Sequence, residues 1–467
     1  MGPTTAGPAT LRVDTTPSLV DLVPGGCHTY SKGDDQFPSN APRTIVRGEG
    51  ARVLGCDGRW YIDCGMGLTA VSLGHAHEEV CAAVAAANAE GTNFIRPSTL
   101  EAAAAEQFLD VFGGDMVKFC KNGSVATTAA VKLARAYTGR GKVAIPFEHP
   151  FFSYDDWFIG TTEADLGIPE DTKARTLRFH YNDLASIQAL FDAHGQDLAC
   201  VMLEPVKVDP PNPGFLEGIR ALCDRRGALF ILDETIAGLK WNIRGGQGYF
   251  NLTPDLSIWG KGIANGFSCC ALSGWRDIMA LGGSRPTGQR VFLISTTHGA
   301  ESGGMAAMLK TVEIFLRNDV IGDNWRRGAS LKRRLLDIVR QRGLAGHFVV
   351  DGYPCYLTFT WVGMPEARVL EWKTLVMQEL VKAGVLTQGV VYPTLSHDEG
   401  VCDETAAAFD AALGVVSRAW ATGSVTGFLD GSAIKPVFRK FQECVKTRCG
   451  RIYANEQKEP CCGSGAA

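Results

Sequence analysis

The stretch ALFILDETIAGLKWNIRGGQGYFNLTPDLSIWGKGIANGFSCCALSGW, residues 228–275, decides how the chain is read. Residues 228–232 are an apolar run that stops at Asp233-Glu234, as a fully buried strand does when its carboxyl end opens into a site. A second such run, Leu256 to Trp259, is followed by Gly260 and Lys261. An acid and an amine at the ends of two neighbouring buried strands can form a plain ion pair. They can also form the two poles of a reactive pocket.

Pyridoxal phosphate needs both poles. A lysine holds its aldehyde as a Schiff base, and a carboxylate keeps the pyridine nitrogen protonated so that the ring withdraws electrons from the substrate carbon. The glycines at 260 and 262 are read as letting a ligand approach the backbone, and Ile236 as an apolar floor under the ring. LDETIAGLK followed by PDLSIWGKGIANG resembles the cofactor signature of the class III (subgroup II) aminotransferases of fold type I, especially the branch containing glutamate-1-semialdehyde aminomutase. The resemblance implies that Lys261 is the Schiff-base lysine and Asp233 the partner of the pyridine nitrogen.

Upstream, an apolar strand from Met116 to Cys120, the turn Lys121-Asn122-Gly123-Ser124 and a helix from Ala126 to Tyr137 make an anion site, because free backbone amides and the helix dipole point at one place. By the resemblance, Gly123 and Ser124 cradle the cofactor phosphate. The family pattern Ser-Gly-Thr-Glu-Ala has an acid where this chain has Val125, a departure from the aminomutase proper. The resemblance further places Phe151 over the pyridine ring and makes Glu204, at the end of a buried strand from Leu198 to Leu203, a structural acid near the cofactor. It assigns Thr296, in FLISTTHGAESGGM, to the phosphate of a neighbouring subunit in a homodimer.

Three segments carry the substrate reading. Asn93 and Arg96 in GTNFIRPS are candidates to face the substrate, as is His298 at the pocket mouth. The loop EHPFFSYDDWF gathers Tyr154, Asp155 and Asp156 among aromatics, a combination suited to a sugar ring bearing protonated amines, although a packed loop with solvated acids reads equally well. GTNFIRPS, HPFFSYDDWFIGTT and ISTTHGAE resemble the class III enzymes of aminoglycoside antibiotic biosynthesis that aminate the 6′ carbon of an oxidised sugar, as in the neomycin and gentamicin pathways. The implied reaction is ping-pong transamination between an amino acid and the amino sugar. Epimerisation at an aminoglycoside amine carbon, or a glutamate-1-semialdehyde-type aminomutase, uses the same cofactor chemistry.

The whole chain constrains the rest. Its 467 residues, 45% hydrophobic and 21% charged, fit a large buried core, and a net charge of −4 leaves no basic footprint for nucleic acid. No apolar run approaches a membrane span and no secretory leader is apparent, so a cytoplasmic protein is expected. Fifteen scattered cysteines in apolar runs read as buried free thiols, without zinc-site spacing; His75 and His77 read as turn and helix-start residues. Alternating strands and helices predict an α/β fold with a mostly parallel mixed sheet in a large cofactor-binding domain at 86–300. A smaller α+β domain is expected from 18–85 and 301–453, with a hairpin over Val53 to Asp63, a mobile lead at 1–17 and a disordered tail at 454–467.

Overall fold

Apolar runs with little polar interruption become the strands of one central sheet in the computed structural model. It describes residues 19–284 and 288–439 together with the short strand pair Tyr453–Ala454 and Glu459–Pro460. The expected lead at 1–17 and most of the tail at 454–467 lie outside the described residues. The N-terminal part forms β1 (Ile45–Glu49), β2 (Arg52–Gly55) and β3 (Trp60–Asp63), followed by helices α1 (Glu78–Ala89) and α2 (Thr99–Phe112). Then come β4 (Met116–Cys120), α3 (Gly123–Thr138), β5 (Lys142–Pro146), β6 (Thr176–Phe179), α4 (Leu184–His194) and β7 (Leu198–Leu203). Next are α5 (Phe215–Arg226), β8 (Leu229–Asp233), β9 (Leu256–Trp259) and β10 (Cys270–Gly274). The C-terminal part comprises α6 (Ser302–Arg317), α7 (Val320–Gln341), β11 (Phe348–Tyr353), β12 (Tyr356–Trp361), α8 (Glu366–Lys382), β13 (Val385–Leu386), β14 (Val390–Val391) and α9 (Glu399–Thr422).

The large sheet runs β4-β10-β9-β8-β7-β5-β6. Every residue of β7 and β8 is buried, which is why they read as unbroken apolar runs: helices cover both faces. The pairs β5–β6, β5–β7, β7–β8 and β8–β9 are parallel. Strand β10 is antiparallel to both β9 and β4, so the sheet is mixed. The ten residues from 260 to 269 hold one short 3-10 helix, Lys261–Ala264, too little for the crossover that a parallel return requires. With β10 alone reversed, the carboxyl ends of β4, β7, β8 and β9 share one edge, where open α/β sheets place ligands.

Local signals fix the helix ends. Ser98 and Glu101 form a capping box on α2. Asn122 accepts a hydrogen bond from the Val125 amide and starts α3 three residues earlier than its alanine-rich body suggests.

Strands β1, β2, β3 and β13 form a second sheet in which β13 lies parallel to β3, with Val385 opposite Ile62, so residues over 300 positions apart build one layer. The hairpin expected over Val53 to Asp63 is the β2–β3 pair. Strands β11, β12 and β14 form a third sheet, packed with α7, α8 and α9 around Trp361 and Trp372. Helix α6, inside the 301–453 unit expected from sequence, packs with α1 and α2 through Met305, Met308, Val312 and Phe315. Eight of the eleven described free cysteines are buried.

Candidate active site

Parallel pairing of β8 and β9 sets Asp233 opposite Ile258, so the acid and Lys261 leave the sheet at the same edge. Asp233 is 4% exposed, and its Oδ1 accepts a hydrogen bond from the Thr235 amide at 2.9 Å. Burial, reinforced by the nearby charge of Glu204, pushes its pKa up to about 6, against the opposing pull of Thr235 and Lys261. The Lys261 amine is held below the ordinary lysine value, first by burial and then by the charge of Lys207, with Glu204 and Asp233 opposing. Lys261 has φ +48, in the left-handed region, a strained conformation of the kind that concentrates at functional sites.

The two flanking glycines differ in how closely their neighbours approach. A Cβ on Gly260 would lie 2.6 Å from Cys270 Sγ and 3.3 Å from Thr235 Cγ2, and one on Gly262 would meet Ser72 and Lys240. Gly260 is confined by β10 and the Asp233–Thr235 segment, whereas the run before α1 meets Gly262 only at ordinary van der Waals distances. Asn265 fastens that run: its Oδ1 accepts from the amides of Ser72 and Leu73, and its Nδ2 donates to Gly74 O. Ser72 Oγ donates to Gly262 O at 2.6 Å.

The anion cradle meets this centre through Thr235. A Cβ on Gly123 would sit 3.6 Å from the Thr235 side chain, so the first turn of α3 abuts the end of β8. Ser124 is buried, and its Oγ accepts from the Tyr154 amide at 3.1 Å, leaving its own proton to donate. The Thr235 hydroxyl is buried and completes no hydrogen bond within the protein. A buried carboxylate, a depressed amine, a helix N-terminus and an unsatisfied hydroxyl together fit a group with a cationic ring nitrogen, an aldehyde and a phosphate.

Residues 34–391 match the family of class-III aminotransferases. The chain belongs to that family. It is 36% identical over 337 residues to the glutamate-1-semialdehyde 2,1-aminomutase of Nitratidesulfovibrio vulgaris strain DP4, covering 69% of this chain and 78% of that protein. It is 39% identical over 274 residues to the enzyme of the same name from Roseiflexus castenholzii, covering 56% and 63%. Among solved structures it is similar to the FumI protein of Sphingopyxis sp. MTA144 in its pyridoxal phosphate form, with a TM-score of 0.78 at 25% identity over 86% of this chain and 96% of that one. A transaminase with bound pyridoxal phosphate gives a TM-score of 0.77 at 26% identity over the same shares. The aminotransferase is therefore a fold type I enzyme whose cofactor is pyridoxal 5′-phosphate.

Other expected site residues of this aminotransferase divide into two groups. Glu204 is 3% exposed at the end of β7; its amide donates to His149 Nδ1 at 3.1 Å, and its Oε2 completes no hydrogen bond. Ile236 is buried in a cluster with Val206, Ala237, Trp241, Cys355 and Tyr356. Phe151 keeps 47% of its surface exposed and meets Phe158 in a T-shaped contact with ring centroids 5.8 Å apart. By contrast, Arg96, Tyr154, Asp156, Thr296 and His298 are exposed on the single chain. Asn93 Nδ2 donates to Thr297 O, which joins the GTNFIRPS loop to the Thr296 segment.

Asp155 has a structural task beside the two readings its loop left open. Its Oδ2 accepts from Thr128 Oγ1 and Ser153 Oγ at the start of the short helix Asp156–Ile159, so one carboxylate oxygen holds the loop to α3. His75 Nε2 lies 2.9 Å from Asp63 Oδ2, and His77 is the residue before α1. Among the described residues no group of three or more His, Cys, Asp or Glu could hold a metal ion, and no helix is long and apolar enough to cross a membrane.

Two lysines were not singled out in the sequence. Lys240, within the quoted LDETIAGLK, is 2% exposed; its Nζ donates to Ile236 O at 2.6 Å and lies 4.9 Å from the Tyr392 ring centroid. Burial, with Lys261 as a like charge, pushes its pKa down to about 7. Lys207, three residues after Glu204, sits with Nζ 3.6 Å from Glu204 Oε2. A lysine three residues beyond a strand-end acid is the signal that could have found it.

Proposed function

We propose that this aminotransferase moves an amino group between an amino acid and the 6′ carbon of an oxidised amino sugar of the aminoglycoside class. The observation that carries the reading is the surface beside the Asp233–Lys261 centre. There the Tyr154 amide donates to Ser124 Oγ in the first turn of α3, and the exposed Tyr154 and Asp156 offer a flat apolar face and a carboxylate to a ring that carries ammonium groups. Such a ring has C–H surface to cover and positive charge to pair. The segments GTNFIRPS, HPFFSYDDWFIGTT and ISTTHGAE support the same class through their resemblance to aminoglycoside enzymes.

Bound pyridoxal phosphate supplies an electron sink for the carbon that gains or loses nitrogen. The residues of the chain do the rest. Lys261 would hold the aldehyde, and its amine, whose pKa burial and Lys207 lower from the ordinary lysine value, is the group placed to hold or move a proton at Nζ. Asp233 would pair with the pyridine nitrogen, a positive partner that offsets the burial and the Glu204 charge raising its pKa. The first-turn amides of α3, with Gly123 and Ser124, hold the phosphate, and Thr235 offers one more hydroxyl. Thr296, exposed on the single chain beside Gly299, serves the phosphate of the partner subunit in a homodimer.

A second reading is an aminomutase or epimerase, favoured by the curated relatives, which are named glutamate-1-semialdehyde 2,1-aminomutases. It keeps every role above and differs only in whether nitrogen leaves the site. The test is the absorption spectrum of the holoenzyme with an amine-bearing aminoglycoside in deuterated buffer. Transfer of the visible cofactor band to the near-ultraviolet, restored by a keto acid, is expected. Deuterium incorporation at the amine carbon with the visible band retained would replace transamination by epimerisation.

A further inference from the structure

Helix α3 turns one face to the aromatic loop. Thr127 and Thr128 follow Ser124 by three and four positions, so the three side chains share one side of its first turns. Each meets the loop. Thr127 Oγ1 lies 2.9 Å from Phe152 O, Ser124 Oγ accepts from the Tyr154 amide at 3.1 Å, and Thr128 Oγ1 donates to Asp155 Oδ2. Trp157 Nε1 donates to Thr128 Oγ1 at 2.8 Å, which leaves the Thr128 proton for the acid. Buried Ser153 joins the same group: its Oγ lies 3.3 Å from Asp155 Oδ2, accepts from the Asp155 amide at 3.1 Å and reaches Ser124 O at 3.4 Å.

We propose that Asp155 is a positioning residue for the cofactor phosphate: by fixing the loop on α3 it keeps the Tyr154 amide on Ser124 Oγ, and so leaves the Ser124 proton for the phosphate. The inference rests on the reading of Ser124 as part of the phosphate cradle and on nothing about the sugar.

The reasoning turns on what a hydroxyl can do. A serine is both donor and acceptor, and an anion needs it as a donor. Within a helix its proton can also turn back to the carbonyl of the preceding turn. A backbone amide held against Oγ fills the acceptor side and fixes the side chain in place. That amide belongs to Tyr154, between Ser153 and Asp155, so its position is set where the acid gathers Thr128 and Ser153. Charge alone argues the other way. An acid near the start of a helix competes with a bound anion for the positive end of the dipole, so removing it would favour phosphate on electrostatic grounds. A loss of phosphate affinity on truncating Asp155 therefore reports geometry.

The test titrates the cofactor-free full chain with pyridoxal 5′-phosphate and, separately, with pyridoxal, which offers the same ring and aldehyde without the phosphate; the visible band reports both. Asp155→Ala is expected to weaken pyridoxal 5′-phosphate about tenfold or more, the worth of one hydrogen bond to a charged group, and to leave pyridoxal within about threefold. Ser124→Ala should show the same selective loss, and adding Asp155→Ala to it should cost little more, because the acid acts through that hydroxyl. Asp155→Asn keeps an acceptor for Thr128 and drops the charge, so it should restore phosphate-form binding; a loss as large as in Asp155→Ala would overturn the proposal. Equal losses for both ligands in Asp155→Ala would also overturn it, by marking a loop contact of structural value alone, as would additive losses with Ser124→Ala. If Asp155→Ala does not fold, Thr128→Val, which removes the hydroxyl the acid holds, decides by the same ratio. A selective loss in Ser124→Ala without one in Asp155→Ala sinks this proposal alone, whereas no selective loss in Ser124→Ala sinks the cradle reading beneath it.

Discussion

Gly260→Ala should damage both stability and the position of Lys261, and the size of the effect follows from one short contact. Gly260 has φ −177, an extended conformation open to any residue, so backbone strain is not the issue. The issue is space. The added methyl would lie 2.6 Å from Cys270 Sγ and 3.3 Å from Thr235 Cγ2, against an optimum of about 3.5–4.0 Å for non-bonded heavy atoms. Cys270 cannot swing aside, being 5% exposed and held between β9 and β4 opposite Cys120. Overpacking of this kind costs about 1–3 kcal/mol. A shift of about 1 Å at Lys261 can lower turnover by about 100-fold. Cys270→Ala alone should cost about 1 kcal/mol by leaving a small cavity. The double variant should recover at least about 1 kcal/mol relative to additivity, since it removes the atom that the methyl strikes. Urea unfolding of the four proteins gives the coupling, and the visible cofactor band together with turnover reports on Lys261. Additive free energies, or a Gly260→Ala protein with wild-type stability and turnover, would show that the close approach of β10 does not set residue 260.

Lys240→Met tests the buried amine behind Ile236. With the folded pKa down at about 7 against 10.5 for the free side chain, the unfolded chain binds one more proton throughout that window. Stability therefore rises with pH from about 7 to 10.5, by at most about 1.4 kcal/mol per pH unit. Unfolding free energies of the variant at about pH 7.5 and 9.5 should lose this slope, whereas an unchanged slope would refute the assignment. His149 and His397, 4% and 3% exposed, have pKa values pushed down to about 4 by burial, so each withholds a proton that the unfolded chain binds below 6.5. Thermal stability should fall between pH 6.5 and 4, and His397→Asn should reduce the proton uptake on unfolding in that range by about one. A variant with undiminished uptake would place the acid sensitivity elsewhere.

What could be read from the sequence, and what could not, follows from how many parts of the chain each feature depends on. Strands β7 and β8 announce themselves because burial on both faces leaves an apolar run bounded by acids, and Asp233 and Lys261 follow from where those runs stop. Strands β13 and β14 have two residues each and exist because β3 and β12 pair with them, so no local pattern marks them. Strand β1, with no fully buried residue, carries no apolar face to detect. The site divides in the same way. Gly123, Ser124 and the Asp233–Lys261 pair are local consequences of strand ends and a helix start. Lys207 and Lys240 look like ordinary solvated lysines until the fold brings Glu204, Tyr356 and Tyr392 around them. Asp155 is intermediate: an acid in an aromatic loop reads equally as a ligand contact or as part of a packed loop, and only the fold brings Thr128, 27 positions away, to its Oδ2. Gly260 shows the same dependence in a single residue. A glycine beside a reactive lysine reads as access for a ligand, whereas the space it leaves is filled by Cys270 and Thr235, so the residue that shapes the backbone at Lys261 is chosen by a strand that the chain reaches only ten residues later.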